Sequence, residues 1–161
     1  GPEKLKSDLE LRKDLKSKIP KDYLPMWLRE REIETRQVEP VDLLKAEKLP
    51  PYRSTWMKPT GKLPSDERIH QALLLYVSDM GLLGAAVNPH KVNFMSKKFQ
   101  SASLDHVMWF HGKVNFNNWV LHHMHSPISQ NARGFSRGSI YTKAGKLIAS
   151  TAQEGLMRIW D

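Results

Sequence analysis

The sequence predicts an α+β domain in which an antiparallel sheet wraps around one long central helix. Residues 65–86 form the longest regular stretch and are apolar, at helical spacing, on nearly every side. Most of the chain from residue 99 to residue 160 instead shows the period of two that is typical of strands. A chain of 161 residues is long enough for one such domain and too short for two large ones.

The first 28 residues are predicted to stand apart from a domain at residues 29–161. Residues 3–18 combine helical periodicity with dense mixed charge, which is typical of a solvated helix or a linker. The opening Gly1-Pro2 resembles the scar of a cleaved tag. Two short strands then lead to the helix, at residues 29–38 and 53–57, and each is closed by proline or glycine.

The helix is expected to begin at Ser65 as N-cap, with two acids in its first turn, and to end at residues 88–89, Asn-Pro. Because it is apolar nearly all round, we expect it to be buried nearly all round. Asp79 is the exception, since burying an unpaired carboxylate is costly. An acid that reaches solvent or pairs with an arginine is the alternative to a functional role.

About four strands are predicted after the helix. They lie at residues 99–113, at 117–125, and in a hairpin formed by 132–142 and 146–160. If residues 99–113 are one regular strand, Asp105 and His106 point to opposite faces, which argues against a catalytic dyad of these two. We therefore interpret them as structural or pocket-lining residues.

Charge and composition exclude several classes of function. A net charge of +8 and a pI near 9.7 favour anionic partners, but no recognised nucleic-acid motif accompanies them, so no nucleic-acid partner is expected. The absence of cysteine excludes disulfides, thiolate metal ligands and a cysteine nucleophile. We expect no membrane span, because no apolar run looks long enough to cross a bilayer.

Four motifs together resemble one family. "HQALLLYVSD", "SLDHVMWFH", "ARGFSRGSIYT" and "ASTAQEGLMR" occur in the order and at the spacing of the thioesterase II family of acyl-CoA thioesterases. The resemblance covers about residues 30–160. It implies a hotdog fold, in which a sheet curls around a helix, and it matches the second, C-terminal hotdog of a tandem enzyme.

The resemblance also implies three catalytic residues: Asp79, Ser103 and Gln153. In the family these residues hold a water and aim it at the thioester carbonyl. A carboxylate can take a proton from water, while an amide and a hydroxyl can orient it. Ser101 remains an alternative to Ser103, and Gln153 could instead occupy an exposed strand position or mark a bulge.

The implied activity is hydrolysis of fatty acyl-CoA to free fatty acid and CoA. CoA is then part of the substrate, and neither a cofactor nor a metal is expected; we assign no CoA-contacting residues. His123 and His125 would share one face of a strand, but solvated strand histidines are the expected account of these and of His111 and His122. Two alternatives stay open: a non-catalytic half that serves as a dimerisation module, and a hydrolase of another thioester, such as acyl-carrier protein.

The expected partner is a second hotdog domain, supplied by the missing N-terminal half or by a homo-oligomer. The resemblance implies an intracellular protein and suggests peroxisomes. The residues "LMRIWD" at the end of the chain carry no peroxisomal signal, which leaves the cytoplasm or mitochondria as alternatives.

Overall fold

The computed structural model describes residues 1–42, 44–92 and 96–160, and their main feature is one antiparallel sheet. The strand order is β1-β2-β5-β6-β7-β3, and β4 also pairs with β7. This confirms the α+β class. The strands are β1 (Ile33–Gln37), β2 (Tyr52–Pro59), β3 (Phe99–Ser103), β4 (Val107–Phe110), β5 (Val120–Gln130), β6 (Arg133–Thr142) and β7 (Leu147–Ile159).

The central helix is broken where one continuous helix was predicted. Helix α3 spans Glu67–Ser78 and helix α4 spans Leu82–Val87, followed by a 3₁₀ turn at Asn88–His90. Gly81 separates the two helices with a φ of 126°, a backbone conformation that costs glycine little and other residues much. The N-cap is Asp66, not Ser65, because the Asp66 carboxylate accepts from the Arg68 N–H at 3.0 Å.

One face of the helix forms the core. Leu74 and Val77 are fully buried and pack with Met57, Phe116 and Ile140 from the strands and the segment before β5. Burial of such side chains contributes about 1.5–3 kcal/mol each, and this holds the helix on the sheet. A smaller cluster joins Leu82 and Ala85 of α4 to Met124 of β5.

The opposite face of the helix is bare, so the prediction of burial nearly all round is wrong. Tyr76 is 63% exposed, and Ile69, Leu75 and Met80 are between 41% and 48% exposed. By length and composition alone, the segment of residues 67–90 could also cross a membrane, contrary to the expectation from the sequence. Half of it is buried inside the protein, as in a core helix.

The predicted strand at residues 99–113 is interrupted. Ser103 pairs with Gly155 and Val107 pairs with Ala152, so three residues of this side face two residues of β7. The Leu104 N–H donates to the Glu154 carbonyl at 2.9 Å inside the interruption. One extra residue on one side is the pattern of a β-bulge, and it reverses the alternation of side chains beyond it.

The N-terminal segment contacts β1, although no residue of its first helix is buried. Helix α1 (Asp8–Asp14) starts with a capping box in which Ser7 and Glu10 bond each other's backbone N–H. The Asp8 carboxylate accepts from Thr35 at 2.7 Å and from Gln37 at 3.0 Å, both on β1. A short helix α2 (Leu24–Trp27) follows, and its Trp27 is buried.

Candidate active site

Asp79 stands at the break of the central helix. It is the C-cap residue of α3, and its side chain is 47% exposed. A carboxylate at this end of a helix faces the negative end of the helix dipole, which disfavours it by a few tenths of a kcal/mol or more. Asp79 therefore does not stabilise the helix at this position. Its role comes from the residues that its side chain contacts.

The three residues singled out in the sequence converge on one oxygen atom. The Ser103 hydroxyl, at the end of β3, donates to Asp79 Oδ1 at 3.0 Å. The Gln153 amide, in the middle of β7, donates to the same oxygen. Ser101 is also on β3 but pairs with Met157, and Ser103 is the serine that reaches the carboxylate. Their catalytic role remains a prediction, and their proximity is an observation.

Gln153 can offer only N–H groups to this site. The residue is 1% exposed, so it is not an exposed strand position. Its Oε1 is buried and has no hydrogen-bond partner among the described residues. The Oγ of Ser136, the residue opposite Gln153 on β6, is buried without a partner in the same way. The amide oxygen thus points away from solvent, and the amide nitrogen faces Asp79.

The other oxygen of Asp79 is open. Both donors bind Oδ1, and no residue in the described ranges bonds Oδ2. Since the side chain is about half exposed, a water can reach Oδ2. An oriented carboxylate with one free oxygen can accept a proton from that water, which makes the water a better nucleophile.

His106 completes the arrangement, where the sequence predicted a structural or pocket-lining residue. Its Nδ1 lies 4.0 Å from Asp79 Oδ1, and its Nε2 lies 2.8 Å from Ser78 Oγ. Residues 99–113 are not one regular strand, and the bulge turns His106 toward the helix. Asp105 instead stabilises the bulge, because its carboxylate accepts a hydrogen bond from the Glu154 N–H at 2.7 Å.

His122 is fully buried, so the expectation of solvated strand histidines is wrong for this residue. Its Nε2 lies 3.2 Å from Thr151 Oγ1. Burial, together with the smaller effects of nearby His106 and His123, lowers the pKa of His122 to about 3. His123 and His125 are exposed, as expected. Among the described residues, no group of three His, Cys, Asp or Glu side chains is arranged to hold a metal ion.

A groove of about 380 Å³ lies between the helix and β1, and Asp79, Ser103 and Gln153 are not among the residues that line it. Tyr76, Val77 and Met80 form its helix side, and Ile33 of β1 lies opposite. Arg29 and Arg31 lie at the same groove. The groove therefore combines an apolar wall with two arginines and with Glu32, whose carboxylate lies 3.7 Å from the Arg29 guanidinium.

Comparisons with known proteins agree with one another. A model of the family described as acyl-CoA thioesterase matches residues 27–156. The chain is 36% identical, over 140 residues, to acyl-CoA thioesterase 2 of Haemophilus influenzae, covering 87% of this chain and 49% of that protein. It is 36% identical to acyl-coenzyme A thioesterase 8 of mouse, covering 79% of this chain and 39% of that protein. The peroxisomal acyl-coenzyme A thioester hydrolase 1 of Saccharomyces cerevisiae is 32% identical over 56% of this chain.

Solved structures give the same picture. Acyl-CoA thioesterase II TesB2 of Mycobacterium marinum superposes with a TM-score of 0.71 and 27% identity, over 99% of this chain and 54% of that one. A protein from Alicyclobacillus acidocaldarius, described as having a hot dog fold, superposes with a TM-score of 0.60 at 15% identity, which bears on the fold alone. The hotdog prediction is confirmed. The chain spans about half or less of the length of these relatives.

Proposed function

The chain belongs to the acyl-CoA thioesterase family, and from this premise we propose that it carries the water-activating residues of an acyl-CoA hydrolase. The observation that supports this most directly is the convergence of Ser103 and Gln153 on Asp79 Oδ1, which leaves Oδ2 open to water. A carboxylate held by two donors is fixed in direction and cannot turn away from the bound water.

The proposed reaction is hydrolysis of the thioester bond. Asp79 Oδ2 takes a proton from a water, and the water oxygen bonds to the thioester carbonyl carbon. The tetrahedral adduct then collapses, the carbon–sulfur bond breaks, and the proton returns to the thiolate. The products are a free fatty acid and CoA. Water is the only co-reactant in this scheme, which uses neither a cofactor nor a metal.

Ser103 and Gln153 have separate tasks in this proposal. The Ser103 hydroxyl donates to Asp79, and its lone pairs stay available to a hydrogen of the water. Gln153 contributes N–H groups alone, because its oxygen is buried. It therefore fixes the carboxylate, and its own oxygen does not accept from the attacking water.

We propose fatty acyl-CoA as the substrate. The apolar wall formed by Tyr76 and Met80 suits an acyl chain, and Arg31, beside the Arg29–Glu32 ion pair of the same groove, suits a CoA phosphate. The net charge of +8 attracts an anionic substrate to the protein as a whole. The same positive charge would also attract an acidic acyl-carrier protein. Hydrolysis of acyl-CoA and of acyl-carrier protein must therefore be compared directly.

A second hotdog domain is the proposed partner. The outer face of α3 exposes large apolar side chains, including Tyr76 at 63% and Leu75 at 41%. Isolated proteins rarely expose so many neighbouring apolar side chains without a binding role. Because the relatives are about twice as long as this chain, we propose that the occupant is another hotdog domain, in the same protein or in a second copy.

We propose an intracellular location, since CoA thioesters are intracellular metabolites. The name of the yeast relative makes peroxisomes the first compartment to test. Imaging of the full-length protein with a peroxisomal marker would decide between that compartment, the cytoplasm and mitochondria.

The test of the function is an acyl-CoA assay of the purified protein beside Asp79→Asn. Asparagine keeps an oxygen for Ser103 and Gln153 but cannot take a proton, so we expect a loss of roughly 100-fold or more in kcat. Asp22→Asn, at an exposed position far from the site in sequence, is the matched control and should keep full activity.

Several outcomes would contradict the proposal. If Asp79→Asn keeps full activity, the role of the carboxylate is wrong. Hydrolysis of acyl-carrier protein but not of acyl-CoA would support the alternative substrate. If no thioester is cleaved, either alone or with a second hotdog domain present, the chain is a non-catalytic module. A strictly monomeric mass for the active species would reject the partner.

A further inference from the structure

The hydrogen bonds around His106 fix which ring nitrogen carries its proton. Ser78 Oγ donates its single proton to the Leu75 carbonyl at 2.8 Å. The same Oγ lies 2.8 Å from His106 Nε2, so in this contact it must accept and Nε2 must carry the hydrogen. Neutral His106 then has an unprotonated Nδ1, which is an acceptor.

That acceptor faces the amide of Gln153. The distance from His106 Nδ1 to Gln153 Nε2 is 3.5 Å, at the long end of the hydrogen-bonding range. Gln153 Nε2 has two hydrogens, and Asp79 Oδ1 takes the other one. Both amide hydrogens are therefore directed, one to the carboxylate and one to the imidazole, while the amide oxygen is turned into the interior.

We propose that His106 is a positioning residue that holds the Gln153 amide in the orientation needed to fix Asp79. The assignment rests on the hydrolysis proposed above. Without an acceptor at Nδ1, the amide can turn over and present its oxygen to the carboxylate, and two acceptors repel one another. The buried Oε1 has no described partner to prevent that turn, so His106 supplies the orientation.

Two substitutions test the roles of the two ring nitrogens of His106 separately. In His106→Asn the amide oxygen can occupy the place of Nδ1, which keeps the acceptor for Gln153 but loses the bond to Ser78. In His106→Gln the amide nitrogen can occupy the place of Nε2, which keeps the bond to Ser78 but loses the acceptor. We expect His106→Gln to lower kcat about tenfold at unchanged KM, and His106→Asn to lower it less.

Stability should rank the two variants in the opposite order. His106→Asn, which loses the Ser78 bond, should melt at the lower temperature and yet be the more active. A purely structural histidine would give the same order in both measurements, and that result would overturn the proposal. Equal activity of the two variants would overturn it as well.

The ring can also be examined without an activity measurement. NMR of the histidine ring nitrogens in the wild-type protein should show the hydrogen of neutral His106 on Nε2, and the signal should change in Gln153→Ala. A hydrogen on Nδ1 would overturn the inference even if the enzyme hydrolyses acyl-CoA. Conversely, a protein with no activity but with the expected ring state would contradict the proposed function and not the His106–Gln153 contact.

Discussion

Gly138 is the position at which one added methyl group should do the most damage for a reason visible in the structure. It lies on β6 between His122 of β5 and Thr151 of β7. A Cβ at residue 138 would stand 2.2 Å from His122 Nε2 and 2.3 Å from Thr151 Oγ1, far below the 3.4 Å at which ordinary contact begins. Both neighbours are buried, so neither can move into solvent.

The expected cost of Gly138→Ala follows from this overlap. Overpacking a well-filled core costs about 1–3 kcal/mol, and two rigid contacts at once favour the upper end of that range. For a chain of this length, about 3 kcal/mol corresponds to a melting temperature roughly 6–12 °C lower. Gly61→Ala is the matched control, because its Cβ would meet nothing within 4 Å, and it should change stability by about 0.5 kcal/mol at most.

Urea denaturation of both variants measures the difference. If Gly138→Ala is as stable as Gly61→Ala, the ring of His122 does not lie against β6 and the packing described here is wrong. The overlap can also be located by a double substitution. Gly138→Ala should cost less in a His122→Ala background than alone, because one of the two clashing groups is then absent. Additive costs would assign the damage to Thr151 alone.

Two further predictions concern the core and its buried histidine. Leu74→Ala should destabilise the protein by about 2–5 kcal/mol in urea denaturation, because Leu74 is fully buried. Leu75→Ala, on the exposed face of the helix, should cost about 1 kcal/mol at most. Similar costs for the two variants would contradict the assignment of helix faces. Burial lowers the pKa of His122 from 6.5 to about 3, so between these values the unfolded chain binds a proton that the folded protein does not. The stabilisation is complete above about pH 6.5 and is lost as the pH falls towards 3, by about 1.4 kcal/mol per unit. His122→Asn should remove that share of the pH dependence, and an unchanged slope between about pH 7 and pH 5 would show that His122 is not buried in neutral form.

Much of the architecture could be predicted because it depends on local signals. The hydrophobic period changes from helical to alternating after the central helix, and this change is enough to predict the class. The stop of the helix at residues 88–89 is likewise a local proline effect. The strand at residues 117–125 was predicted too short, since β5 continues through Pro127 to Gln130 with a register shift that accommodates the proline.

The features that could not be predicted depend on the backbone of a neighbouring element. A glycine in an apolar run indicates a place where a helix can break. The helix breaks at Gly81 only because the site and the sheet accommodate the break. The bulge at residues 104–106 arises from the pairing of two separate strands with β7, and it alone brings His106 to Asp79. The burial of His122 depends on the missing side chain of Gly138, sixteen positions later in the sequence.

The site itself was accessible through motif resemblance and not through periodicity. Asp79 was conspicuous as an acid in an apolar helix, whereas Ser103 and Gln153 looked like ordinary strand residues. Their convergence on one oxygen is a property of the folded sheet. The half-exposed state of the Asp79 carboxylate also has a tertiary cause. The face of the helix beside it is covered by nothing within the described part of the chain.

The separation of these contacts along the chain has a consequence for how the activity is gained and lost. The partners of Asp79 stand 24 and 74 residues after it, and the second belongs to the last strand. Contacts between such distant residues form late, because closing a long loop costs entropy before any contact repays it. No nascent chain that lacks β7 can assemble the site. Loss of the proposed activity on denaturation should accordingly follow cooperative unfolding of the whole sheet, so that the proposed hydrolysis would report complete folding.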